Sequence, residues 1–328
     1  MSALPFLRMQ EPDTVKYNVP MSLNERVRRQ HHFASAVEDR MSVSKWFARA
    51  SLVIWLLLAL GPTVAAQSAR PDNEITKLAD DVYLYRHQFH QAIFVTTPQG
   101  VIVTDPISAD AAAWLKAEIK ILTDQPVRYV VYSHHHSDHI TGGGVFADQA
   151  TFVSHSAARP HIADAADPST PVPTLTFTDR MFIDLGGKHV ELIYTGKNHS
   201  DNSLVVLLPQ NKLLFAVDFI PVETVAYRTM RSDYPDDWIE SLKRVEQLEF
   251  DILVPGHGKI GRKEHVRLFR GYLEDLRGAV LDQIKKDASL EEAKKAVQLP
   301  KYEKWARYAD WFPENVEGMY RYYSQTQR

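Results

Sequence analysis

Four histidines lie within the six residues 134–139, at the end of a run rich in β-branched residues. The segment Ser133-His134-His135-His136-Ser137-Asp138-His139 reads H-x-H-x-D-H and follows directly on the strand-like stretch 127–132. On extended backbone, residues i and i+2 face the same side, so His134 and His136 can share one metal while His135 points away. Asp138 and His139 come where the chain turns into a helix, within reach of a second metal. Gly142, Gly143 and Gly144 follow and permit a close turn. Such a segment needs a rigid sheet behind it and further donors in front of it, which few folds provide.

Those donors stand at the ends of later strands. His199 lies at a loop tip after the stretch 190–194, Asp218 closes the apolar stretch 212–217, and His257 follows 250–254 within Pro255-Gly256-His257-Gly258. Asp105 ends an earlier strand, in Ile102-Val103-Thr104-Asp105-Pro106. One turn aspartate or capping histidine has an ordinary structural explanation; four such residues at strand ends point to a common site. Loops beyond strand ends are where a layered α/β scaffold carries its catalytic groups. Imidazole nitrogen and carboxylate oxygen suit zinc, and as donor types they also admit iron or manganese.

Composition narrows the possibilities. The chain has no cysteine, which excludes disulfides, cysteine-type zinc fingers, iron–sulfur clusters and thiol nucleophiles. Its 45% hydrophobic and 24% charged residues are those of a soluble globular protein, and a formal charge of −3 gives no basic excess for nucleic acid. Residues 41–66 combine a basic start (Lys45, Arg49), the apolar run 52–60 and the small residues Ala65-Ala66, the pattern of a secretory signal cleaved after Ala66. That run is well short of the roughly 20 residues a membrane span needs, so no stable anchor is expected after cleavage. Translation is expected to begin at Met41, with residues 1–40 an irregular extension. Cleavage removes eight basic and five acidic side chains, leaving residues 67–328 with a formal charge of −6. The mature protein is expected to be periplasmic or secreted, where a chain without thiols has nothing to mispair.

Along the mature chain, strands are predicted at 82–86, 92–96, 101–104 and 127–132, with a helix at 110–120 that places Trp114, Leu115 and Ile119 on one face. A short strand at 151–153 and a helical stretch follow, then a surface loop at 168–174. Strands return at 175–177, 190–194, 203–208, 212–217 and 250–254. Pro235 and the acidic residues after it open one helix, and 263–286 reads as a long one. The same pattern thus occurs twice, each half ending in a buried strand that delivers histidine to a loop. Two sheets face to face with helices outside satisfy it. One domain covers 72–328, with a helical C-terminal extension.

With these residues in this order and spacing, the sequence resembles the metallo-β-lactamase superfamily of zinc hydrolases over roughly residues 75–261. The resemblance implies the four-layer αβ/βα sandwich and a cleft for two Zn²⁺ ions. It implies His134, His136 and His199 as ligands of the first metal, Asp138, His139 and His257 of the second, and Asp218 as the bridging carboxylate. Asp105 matches the family's early strand-end aspartate and is expected to support the ligand loops. Two divalent ions acting on one water lower its pKa from about 15.7 towards about 7, and Asp138 is placed to orient that water or take its proton. No phosphate loop competes, because the three glycines are not followed by Lys-Ser/Thr.

The family leaves the small-molecule substrate open. His199-Ser200-Asp201-Asn202 and Lys212-Leu213-Leu214-Phe215-Ala216-Val217-Asp218 resemble stretches of class B β-lactamases. Yet Asp218 stands where the best-known group has a cysteine ligand, His139 where it has a non-ligand, and Pro221 where it has a carboxylate-clamping lysine. Asp218 and His139 instead resemble glyoxalase II-like thioesterases and acyl-homoserine lactonases. The reading is therefore a binuclear zinc hydrolase of a small ester, lactone, thioester or amide. The alternatives are a β-lactamase and an iron-dependent oxidoreductase resembling persulfide dioxygenases. Arg228 and Arg231 follow Asp218 and are candidates to meet a substrate anion. The aromatics of residues 302–323 are expected to pack on the sandwich, with an aromatic wall over the cleft as the alternative. The leader is tested directly by determining the N-terminus of exported protein: Gln67 is expected, and a start well upstream would remove the cleavage site.

Overall fold

The computed structural model describes residues 72–230 and 234–326. The leader expected at 41–66, residues 1–40 and Arg231 lie outside them. Residues Ala69–Arg328 form one compact unit. Its first sheet runs in chain order, from β1 (Asn73–Ala79), β2 (Val82–His87), β3 (His90–Thr97) and β4 (Gly100–Thr104) to β5 (Val127–Val131), β6 (Thr151–His155) and β7 (Leu175–Phe177). The early strands pair antiparallel, and β4 to β7 pair parallel. Two connections carry helices, α1 (Ala109–Leu122) and the single turn α2 (Ser137–Ile140), and a third, α3 (Ala158–Ala165), follows β6. Ser108 caps α1 by accepting the Ala111 N–H, and the helix buries Ala111, Ala112, Leu115 and Ile119.

The second sheet consists of β8 (Arg180–Leu185), β9 (Lys188–Tyr194), β10 (Leu204–Leu208), β11 (Leu213–Val217), β12 (Ile252–Pro255) and β13 (Gly261–Arg262), in spatial order from β13 to β8. Every residue of β10 and β11 is buried, and strand alternation divides them between two cores. Leu204, Val206, Leu208, Phe215 and Val217 point into the core shared with the first sheet. Val205, Leu207, Leu214 and Ala216 point the other way, under α4 (Pro235–Val245) and α5 (Lys263–Ile284). A strand buried on both faces reads as a continuous apolar run, which is why β10 and β11 stand out in the sequence. The layers are therefore helix, sheet, sheet, helix, as expected. The strands not foreseen, β1, β8 and β13, all lie at sheet edges; the side chains of β8, Ile183 apart, face or approach solvent, so it carries no apolar run.

The chain ends in α6 (Leu290–Ala296) and α7 (Tyr308–Thr326). Here the aromatics pack: Tyr302, Phe312 and Tyr323 are buried, and Trp305, Tyr308, Trp311, Tyr320 and Tyr322 lie against the outer core. One buried polar residue links this extension to the loop after β11. Asn315 donates to the carbonyls of Ala226 (2.9 Å) and Arg228 (2.6 Å) and accepts from the Tyr272 hydroxyl. Among the described residues no helix is long and apolar enough to cross a membrane.

Removing the Asn315 amide leaves a buried hydroxyl and two loop carbonyls without it. Asn315→Leu is expected to lower unfolding stability by more than about 2 kcal/mol, since each abandoned buried polar group costs about 1–3 kcal/mol. A denaturant titration showing a midpoint equal to wild type would contradict this role.

Candidate metal centre

The site forms where the two sheets meet at one end of the sandwich. Backbone bonds across the seam set it: Leu204 N donates to Ser133 O (2.9 Å), and Gln91 N donates to Gly256 O (2.8 Å). The Gln91 side chain adds a bond to Pro255 O. The loop after β5 is thereby laid against β10, and the loop after β12 against β3.

Two donor groups converge there. His134, His136, His199 and Asp218 offer atoms that all lie within 4.8 Å of one another, and so do Asp138, His139, Asp218 and His257. Asp218 belongs to both. Its Oδ2 is 3.1 Å from His139 Nε2 and 3.7 Å from His134 Nε2, and its Oδ1 is 3.3 Å from His257 Nε2. His199 Nε2 faces His136 Nδ1 at 3.2 Å, and His139 Nε2 faces His257 Nε2 at the same distance. The structure thus brings together all seven residues singled out from the sequence.

Their supports fix which nitrogen points inward. Asp105 is fully buried and accepts from Ser133 twice, from the backbone N–H at 2.8 Å and from the hydroxyl at 2.6 Å. With its proton committed to Asp105, Ser133 Oγ can only accept from His134 Nδ1, 2.9 Å away. His134 Nε2 then carries the lone pair, and it is buried in the cluster without a hydrogen-bond partner. His257 Nδ1 is likewise occupied by Phe89 O at 3.0 Å, and His139 Nδ1 lies 3.5 Å from Asp105 Oδ2. Several imidazole lone pairs and a shared carboxylate facing one another are poorly matched without a cation, so the residues fit divalent metal.

The electrostatics agree at the first donor group, whereas at the second burial is outweighed by Asp218, which raises the pKa values of His139 and His257. Burial, with His139 nearby, holds His134 far below the usual histidine pKa, and burial with His199 pushes His136 down to about 4. Both rings are neutral at pH 7, as ligands must be. Burial opposes charge on Asp218, yet His139 and His257 keep its pKa well below the ordinary carboxylate range. Asp138 behaves similarly: burial is outweighed by the His90 hydrogen bond and by His139, leaving it at about 2 and ionised.

Residues not singled out from the sequence complete the site. His90 Nε2 is 3.3 Å from Asp138 Oδ2, and its ring packs on His257 with centroids 4.6 Å apart. Asn202 accepts the His135 N–H and steadies the loop from outside. Ser133 and Asn202 sit inside the motifs and were readable as neighbours of ligands. His90 sits at a hairpin tip with no distinctive spacing, and only the bridge to His257 reveals it. Arg228 lies over the Tyr227 ring and 3.9 Å from Glu314 of α7.

Two backbone features hold the loops close. Val217 has φ 47°, strained for a β-branched residue, immediately before Asp218. A Cβ at Gly256 would fall 2.5 Å from Asp218 Oδ1 and 2.8 Å from His139 Cε1.

The model of the metallo-beta-lactamase superfamily matches residues 86–257. The α subunit of 2,4-dinitroanisole O-demethylase from Nocardioides sp. (strain JS1661) is 26% identical over 170 residues, 50% of this chain and 52% of that one. Linear primary-alkylsulfatase from Pseudomonas sp. (strain ATCC 19151) is 22% identical over 261 residues, 63% of this chain and 49% of that one. The chain thus spans about half the length of these two relatives. A metallo-beta-lactamase type 2 from Bacteroides fragilis is 26% identical over 206 residues, 59% of this chain and 82% of that one. Among solved structures, a metallo-beta-lactamase from Pontibacter korlensis superposes with a TM-score of 0.55 at 22% identity, over 62% of this chain and 99% of that one, a likeness of fold.

Because Gly256 is the contact point for Asp218 and His139, Gly256→Ala is expected to lower metal content at the second group more than at the first. Metal analysis by mass spectrometry after dialysis reads this, and equal loss from both groups would point to general disruption.

Proposed function

The chain belongs to the metallo-beta-lactamase superfamily, and from that premise we propose an exported two-zinc hydrolase acting on a small ester, lactone, thioester or amide. The observation that carries this reading is the shared Asp218 between two complete donor groups. His134, His136 and His199 would hold one ion, and Asp138, His139 and His257 the other. Bound there, the ions would acidify a water and polarise the substrate's carbonyl.

The chain's own residues do the rest. Asp218 presents one oxygen towards His139 and His134 and the other towards His257, so a single carboxylate offsets charge at both positions. Asp138, ionised and half-exposed at the mouth, is the group to orient the attacking water and accept its proton. His90 keeps that carboxylate turned towards the site. Asp105 holds Ser133, and through it the His134 ring, in the one tautomer that aims Nε2 inward. Export through the leader at 41–66 belongs to the same proposal.

The described residues of the loop after Asp218 favour a substrate without a carboxylate to clamp, with Arg231 outside them. Pro221 supplies no cation, Lys259 is engaged by Glu223, and Arg228 lies over Tyr227. A missing charge-assisted contact costs about 1.5–3 kcal/mol, roughly ten- to a hundredfold in binding. β-Lactam turnover is therefore expected to be weak beside ester or lactone turnover. A panel of nitrocefin, lactones, thioesters, aryl esters, alkyl sulfates and nitroaryl methyl ethers on zinc-replete protein decides the class. Nitrocefin kcat/KM above about 10⁴ M⁻¹s⁻¹ with esters and lactones inert would make this a β-lactamase. Native protein carrying one iron and consuming oxygen would make it an oxidoreductase. In the same assay His136→Ala is expected to lose more than about a hundredfold in activity, and His135→Ala far less.

A further inference from the structure

The alternation that turns His134 and His136 inward turns His135 outward, and the structure shows what it meets there. His161, from α3, stacks on the His135 ring with centroids 4.3 Å apart and planes 23° apart. Asp201, two residues beyond His199, places Oδ2 3.3 Å from His161 Nε2. Donor atoms of the three side chains lie within 4.8 Å of one another, the same closeness as in the two inner groups. Three separate stretches of chain supply them.

We propose that His135, His161 and Asp201 form a third, solvent-open site for a divalent transition metal of the zinc class, on the outer side of the loop that carries His134 and His136. Two imidazoles and a carboxylate make a three-residue zinc donor set, with the remaining position left to water. Zinc bonds to nitrogen and oxygen are about 2.0–2.2 Å, so the donors must close by about an ångström and the two rings must turn out of their stack to aim in-plane lone pairs at one ion. The His161 and Asp201 side chains are 43% and 29% exposed; Asp201 Oδ1 accepts from the Asn202 amide, which leaves Oδ2 to face His161.

The site is weaker than the inner pair for stated reasons. Its donors are more exposed, and the Asn202 amide already occupies His135 Nδ1 at 2.8 Å, so a cation competes with that bond. Asn202 also accepts the His135 N–H. An ion on the outer face therefore pulls on the backbone that positions the inner ligands, and ties α3 to both ligand loops. Filling follows the inner sites as free zinc rises, which makes it a response to zinc excess.

The proposal uses the inner groups only as the count above which a further ion is seen. Metal-stripped full-length protein is equilibrated with increasing free Zn²⁺, and bound zinc per chain is counted by mass spectrometry. Wild type is expected to take up a further, weaker equivalent after the tight ones. His161→Ala should abolish that equivalent alone, and Asp201→Asn should weaken it at least tenfold. The tight equivalents should be unchanged in both variants. His134→Ala separates the two readings, because it should remove tight zinc; retention of all tight zinc there would sink the inner assignment and leave the outer test intact. No weak equivalent in wild type, or one that survives His161→Ala unchanged, overturns the third site.

Discussion

The site depends on a buried carboxylate that itself need touch no metal. Asp105 is fully enclosed at the end of β4, accepts twice from Ser133 and lies beside His139. A carboxyl group so placed is tolerable only because it is hydrogen-bonded. Its effect is to convert flexible histidines into fixed donors: Ser133 is spoken for, His134 must give up Nδ1, and Nε2 is left to the cleft. Strain at Asp105 (φ 25°), Ile107 (φ 72°) and Val217 (φ 47°) clusters on the two strand ends that carry the acids, where the surrounding core over-determines the backbone.

The second half of the molecule answers with a different device. Asp218 ends a strand buried on both faces, so its position is set by two cores at once, and the loop beyond it is pinned by the C-terminal helices. Ala306 N bonds Glu223 O, Val225 N bonds Ala306 O, and Asn315 holds the carbonyls of Ala226 and Arg228. The extension is thus part of how the cleft's rim is held. This role suits its aromatic content better than a wall facing substrate, because nearly all those rings are spent on packing.

Much of this was legible in the sequence, for physical reasons. Strands β4, β10 and β11 announce themselves because burial on two faces demands unbroken apolar or β-branched runs. The seven donors are legible because strand ends and two-residue alternation place them without knowledge of tertiary contacts. Strand β8 was hidden since an edge strand needs no apolar face. His90 was hidden because its importance comes from a bridge to His257, a residue far along the chain. His135 was correctly turned outward by alternation, yet nothing in its neighbours suggested that His161 would stack on it.

The seam between the sheets has a thermodynamic consequence. His134, His136, Asp138 and His139 come from the first sheet's loops, whereas His199, Asp218 and His257 come from the second's. Any ion held by both is a clasp between halves that otherwise meet through apolar contact and a few backbone bonds. Its binding free energy is then shared with the cohesion of the sandwich, because a separated pair of sheets has no such site. Each tenfold rise of free ion above its dissociation constant adds about 1.4 kcal/mol to that cohesion. The durability of the protein is therefore a property of its surroundings as much as of its sequence, set by how much metal the compartment around it supplies.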